Sequence, residues 1–166
     1  MLKKIVLLAL LLAPVGVFAQ DKIAYFNSVE VITAMPEYVQ MQDSIQKKQE
    51  EFRKEMRILE EEYSKKYEAF LAEAEGLSEA IRNRRMTEIQ DIEQRAAKYN
   101  EDSQTEIQQL YEQLLVPIQQ KVRDALQKVG EENSFTYILD AGSTVVYVSP
   151  TAPDATPLVK TKLSLQ

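Results

Sequence analysis

From Glu37 to about Glu75 the chain carries no proline and no glycine, and its apolar residues return every three or four positions. They fall at Tyr38, Met41, Ile45, Phe52, Met56, Leu59, Tyr63, Tyr67, Phe70, Ala74 and Leu77. This is close to a heptad seam, with one slip between Tyr63 and Tyr67, and Glu, Lys and Gln fill the other faces. The pattern predicts a helix of about 58 Å at 1.5 Å per residue. One apolar stripe on so long a helix requires a partner helix. Gly76 interrupts the pattern, and Ser78 is placed to cap a second helix. There the seam continues through Ile81, Ile89, Ile92, Ala96, Tyr99, Ile107, Leu110, Leu114, Ile118, Val122, Ala125 and Val129, and Gly130 predicts its end. Two heptad helices joined by a short Gly/Ser break predict an antiparallel hairpin. The alternative is one rod running through Gly76, which glycine alone does not forbid. Pro117 lies inside the second helix and predicts a kink or, alternatively, a helix boundary.

Outside these helices the period changes. "KIAYFNS" (22–28) predicts a short, largely buried strand. Asn27 or Ser28 can then cap a brief helix, "VEVITAM", that stops before Pro36, and Pro36 suits the start of the long helix. "FTYILD" (135–140) and "TVVYVS" (144–149) are β-branched and aromatic, and "AGS" separates them with Gly142 able to supply a positive φ. They predict a β-hairpin. "PTAPDATP" (150–157) reads as a loop, and "LVKTKLSL" as a short final element of open type. With strands at both ends, the termini can meet in one small sheet from which the helices project. The expected fold class is α+β, a long antiparallel helical hairpin on a small β-sheet body. Residues 20–36 and 118–166 form the body, and 37–117 form the arm, with its tip near 75–80. A body of this size is marginal alone, so oligomerisation is expected.

The first 19 residues order a short positive region (Lys3, Lys4), an apolar run from Ile5 to Ala13, and small residues Val17 and Ala19 before Gln20. That order predicts a secretory signal peptide (1–19) cut before Gln20. The run spans only about 14 Å as a helix, against about 30 Å of hydrocarbon. Without Lys3 and Lys4, 18 basic residues face 26 acidic ones, a net charge of −8. The chain has no cysteine and no histidine. It therefore has no disulfide, no thiolate nucleophile, no imidazole base and none of the usual zinc ligands. Its carboxylates lie along charged helical runs that read as solvated faces, so no enzyme, cofactor or metal site is expected.

This order of elements resembles the Skp/OmpH family of periplasmic chaperones. The resemblance is carried by "KIAYFNSVEVITAMPEY" near the start, "VPIQQKVRDALQKVGEENSFTYILDAGSTVVYV" near the end, and the terminal "PDATPLVKTKL". It implies a homotrimer whose strands build a central body, here with Ile23, Tyr25, Ile138 and Val146. Three arms would surround a cavity that holds unfolded outer-membrane proteins in the periplasm without ATP, cofactor or nucleic acid. The best-known members are basic, and this chain departs from them in its net charge. An exported coiled-coil spacer is the competing reading, although the short segments outside the helices supply none of the extended β-rich domains that spacers carry.

Two sets of residues are singled out. Met56, Tyr63, Tyr67, Phe70, Met86 and Tyr99 offer adaptable apolar contacts to a client, or else pack helix against helix. Arg82, Arg84 and Arg85 crowd three of seven arginines into the predicted tip. They form either a positive ring for acidic client segments and anionic lipid head groups, or a solvated face in which Arg84 pairs with Glu88.

Overall fold

The computed structural model describes residues 22–143 and 145–165, so the expected signal peptide (1–19) lies outside the described residues. Strand β1 (Ile23–Phe26) leads into helix α1 (Ser28–Ala34), then α2 (Pro36–Glu73) and a single 3₁₀ turn (Ala74–Gly76). Helix α3 (Glu79–Asn133) returns, followed by strand β2 (Tyr137–Asp140) and helix α4 (Thr156–Lys162). This is an α+β arrangement, mostly helical, with a two-stranded sheet. No helix among the described residues is long and apolar enough to cross a membrane.

Local chemistry explains the boundaries. Asn27 caps α1, its side chain accepting from the Glu30 N–H at 3.1 Å. Met35 is extended, as a residue before proline should be, and Pro36 opens α2. Ser78 occupies the N-cap position of α3, though its side chain makes no capping bond. The chain turns at Gly76, which excludes the continuous rod. Helix α3 runs unbroken through Pro117, so that proline is not a helix boundary.

The core sits at the base of the hairpin. Ala24, Phe26, Val31, Met35, Met41 and Ile45 pack against Ile118, Val122, Ala125 and Val129, and Ala155, just before α4, and Val159 on it close the core. At 1.5 Å per residue α3 is about 83 Å long and α2 about 57 Å. The excess at the end of α3 extends past the start of α2 into this core. The predicted seam is the inward face of both helices, except that Tyr67 and Ile81 are exposed toward the tip.

Four expectations are corrected. The strand opening the chain is one-sided: Ala24 and Phe26 are buried, and Ile23 is exposed. Gly130 does not end α3. The helix continues to Asn133, where Ser134 takes the left-handed conformation (φ 55°). Phe135 N–H then closes on the Gly130 carbonyl, and Lys22 Nζ caps the Asn133 carbonyl at 2.9 Å. An interior glycine costs only about 1 kcal/mol, which these end contacts offset. No β-hairpin forms. β2 pairs in parallel with β1, Ile23 opposite Tyr137 and Phe26 opposite Asp140, and residues 145–149 are in no strand. The other edge of β1 is filled by the stretch before α4, through Tyr25 N–H to Pro153 O and Ala155 N–H to Tyr25 O. The hairpin would have placed 145–149 on the other edge of β2, which carries no strand among the described residues.

Gly142 also lacks the expected positive φ. A Cβ there would lie 3.0 Å from Asn27 Oδ1 and Ser28 Oγ, and 3.2 Å from Asp140 Oδ1. Close approach to three oxygens favours glycine, and the turn itself is held by Asp140.

Candidate functional site

The two long helices run antiparallel, and their partners show it: residues late in α2 meet residues early in α3. Five ion pairs cross between them: Glu37–Lys121, Lys48–Glu106 (2.7 Å), Glu62–Arg95 (3.1 Å), Lys66–Glu88 (2.8 Å) and Glu73–Arg85 (2.7 Å). At 100° per residue, the five α2 positions fall within about 40° of one another. One flank of the seam is thus stitched by charge along its whole length. Such exposed pairs stabilise little individually, but all five form together in the observed antiparallel register. Lys66 holds Glu88 below the usual carboxylate range by its hydrogen bond and its charge, with Arg84 and Arg85 adding to the effect.

The other flank carries no interhelical ion pair among the described residues. It holds two open depressions in sequence. The first, about 320 Å³, is lined by Phe52, Met56, Tyr99 and Ile107 with the polar Gln49, Arg53, Asn100 and Gln104. Phe52 and Tyr99 meet edge to face, ring centroids 5.9 Å apart. Ser103 takes a seam position between Tyr99 and Ile107, and its hydroxyl is buried with no partner. The second depression, about 760 Å³, lies between Leu59, Tyr63, Ile92 and Ala96, with Glu60 and Glu93 at its edge. Tyr63 stacks on Tyr67 at 5.7 Å, one turn along the same face. Burial raises the Tyr63 hydroxyl above its usual pKa, and its hydrogen bond to Glu93 adds to this.

Of the six arm residues singled out, Met56, Tyr63, Phe70 and Tyr99 are half-buried, and Tyr67 and Met86 are exposed. The groove gathers Met56, Tyr63 and Tyr99 on one flank. Ser103 was missed because the apolar pattern steps over it from Tyr99 to Ile107. The signal was present, since 103 is four residues from each.

At the tip the three arginines have different duties. Arg82 reaches back across the turn, Nη2 donating to the Ala74 carbonyl at 2.9 Å. Arg85 pairs with Glu73 on the incoming helix. Arg84 has the expected i,i+4 contact with Glu88, at 3.7 Å, and its side chain is 70% exposed. Two of the three therefore tie the turn together, and Arg84 presents most of its charge to solvent.

In the sheet, Ile23 and Tyr25 share the outer face with Tyr137 and Leu139, their register partners. Ile23, Tyr137 and Leu139 are exposed. Ile138 points inward and packs on the core, and Val146 is fully exposed and outside any strand. Tyr137, Leu139 and the exposed Tyr147 were not anticipated, although period-two alternation from Tyr137 would have shown the first two.

A model of the family described as outer membrane protein (OmpH-like) matches residues 22–163. A comparison with curated proteins finds no match. Among solved structures, the fold is similar to that of a protein from Caulobacter crescentus CB15 described as a proposed outer membrane chaperone (OmpH-like). The TM-score is 0.74 at 14% identity, over 87% of this chain and 85% of that one. With the family pattern spanning every element from β1 to α4, the chain belongs to the OmpH-like outer membrane protein family.

Proposed function

We propose that this protein is a periplasmic holdase chaperone that keeps unfolded outer-membrane proteins from aggregating, without ATP. The family match over residues 22–163, on a two-helix arm with an open apolar groove, carries the reading. At the family level it is an outer membrane protein chaperone and not an enzyme. Segments 20–36 and 118–166 form its body, 37–117 its arm, and the signal peptide is removed before Gln20. An unfolded barrel strand exposes alternate apolar side chains that would associate in water. Many weak arm contacts shield them and release without a nucleotide switch.

The working form is a homotrimer. Ile23, Tyr137 and Leu139 leave an apolar sheet face uncovered, and Val146 and Tyr147 add apolar surface beyond the strands. An isolated two-stranded sheet is marginal, so a shared body supports the reading. Arg84, with Arg82 and Arg85 behind it, offers each tip positive charge for acidic client segments or anionic lipid head groups.

The test is light scattering of a urea-denatured outer-membrane β-barrel diluted into buffer with and without the protein. Scattering is expected to fall as trimer is added, with no nucleotide present. Unchanged scattering at excess protein would refute the holdase reading, and a monomer in sedimentation equilibrium at micromolar concentration would refute the trimer.

A further inference from the structure

We propose that the groove on the ion-pair-free flank of the arm is where a client is held. Its occupant is an extended segment with apolar side chains at alternate positions and a basic residue beside the apolar one nearest the tip. This rests on the holdase reading and adds which side of the arm is used and what sequence it takes.

The two flanks of the seam are chemically unlike. On one, the charges are already spent on five pairs between the helices. On the other, apolar and aromatic side chains line two depressions that open to solvent. Their centres lie about nine residues apart along α2, about 13 Å. Four residues of extended chain span about the same distance. Four is an even number, so side chains at i and i+4 leave the same face of a strand and can enter both depressions. The residue at i+2 then sits over Met56, whose flexible thioether adapts to differing shapes. A membrane-spanning β-strand alternates apolar and polar residues along its length. It presents this spacing wherever it docks, which suits a site that must accept many sequences.

The amides of Gln49, Asn100 and Gln104 line the body-side depression. Gln104 Nε2 donates to Asn100 Oδ1 at 3.2 Å, and the amide groups left over still both donate and accept, so they can meet the backbone groups of an extended chain that has no neighbouring strand. Charge sets the direction. Among the described residues, Glu60 and Glu93 are the only charged ones lining the tip-side depression, and no ion pair to either is found there, Glu93 accepting from the Tyr63 hydroxyl. Arg53, at the body-side depression, donates to the Gln49 carbonyl and has no carboxylate partner among the described residues. A segment with lysine or arginine toward the tip complements this arrangement, and one with a glutamate there meets two like charges.

The test uses the full mature protein and a short fluorescent peptide with leucines at alternate positions and one lysine beside the terminal leucine. A second peptide carries glutamate for lysine, and a third has the first one's residues rearranged to helical spacing. The alternating lysine peptide is expected to bind tightest. Met56→Ala with Tyr63→Ala should weaken it about tenfold. Ile58→Ala, exposed on another face of α2, should leave it unchanged. Glu60→Lys, a surface change that does not touch the seam, should shift the lysine-to-glutamate preference by about threefold. Equal losses from Ile58→Ala and from the groove pair would overturn the proposal, as would an unchanged preference in Glu60→Lys. So would a photo-crosslinker at Ser64 that captures a second arm in place of the peptide. The barrel-scattering assay separates the two claims. If the wild type fails to suppress aggregation, the holdase reading fails; if wild type and the groove pair suppress it equally, only the groove assignment fails.

Discussion

Asp140 ends β2 and holds three elements with one carboxylate. Its Oδ1 accepts from the Ser28 N–H at 3.2 Å and the Gly142 N–H at 2.9 Å, and its Oδ2 accepts from the Ser143 hydroxyl at 2.8 Å. Ser28 opens α1, so the charge also sits at a helix N-terminus. Asp140→Ala leaves the part-buried Ser28 N–H without its acceptor, while the exposed Gly142 and Ser143 groups turn to water. Bonds to a charged acceptor contribute about 1.5–3 kcal/mol when sheltered, and solvent discounts the exposed two, so the expected loss is about 2 kcal/mol. Asp140→Asn keeps a carbonyl oxygen for the backbone donors and loses the charge, so about 1 kcal/mol is expected.

The pH dependence follows from the same geometry. Desolvation pushes the carboxyl pKa up, but the bonds from Ser28, Ser143 and the Gly142 and Ser28 backbone outweigh it, and the net displacement is downward. The folded form therefore binds its proton less readily than the unfolded chain, whose aspartates titrate near 3.9. The stabilisation is fully present above that value and fades as pH falls through the lower folded pKa. Urea unfolding, followed by far-UV circular dichroism at fixed protomer concentration, measures it. The gap between wild type and Asp140→Asn should be constant from neutral pH to about 5 and should narrow below about 4. An Asp140→Ala protein within about 0.5 kcal/mol of wild type at pH 7, or a gap indifferent to acid, would refute the reasoning.

Three further outcomes are expected. Gly142→Ala should cost about 1–2 kcal/mol in the same urea experiment, because the new methyl displaces the Asn27 cap and the Asp140 carboxylate together. Ser103→Ala should raise stability by about 1 kcal/mol, since it removes a buried hydroxyl that has no partner; a loss of stability would show that the hydroxyl is bonded after all. Arg82→Ala should speed amide exchange around the tip turn, with a global cost of no more than about 0.5 kcal/mol, because the bond it breaks to the Ala74 carbonyl is local and exposed.

The sequence by itself determined the arm. Met41, Ile45, Leu59, Ile89, Ile92, Ile118, Val122, Ala125 and Val129 are all on the predicted seam and all buried. Helical periodicity is a local property, and a stripe without a partner on so long a helix leaves few arrangements. Asn27, Pro36, Gly76 and Ser78 marked their boundaries for the same reason, since caps and breaks act within one turn. What needed the tertiary structure was everything decided by distant partners. β-propensity made 144–149 look like a strand, but strand pairing depends on tertiary context: β2 pairs in parallel with the distant β1, and 145–149 is in no strand although the other edge of β2 carries no strand among the described residues. Gly130 was a local stop signal that Lys22, far away in sequence, helped to override. The two unlike flanks of the arm were also hidden. A heptad pattern shows which residues face a partner helix, and only the register between the helices decides which charges meet across one flank and which aromatic residues stay open on the other.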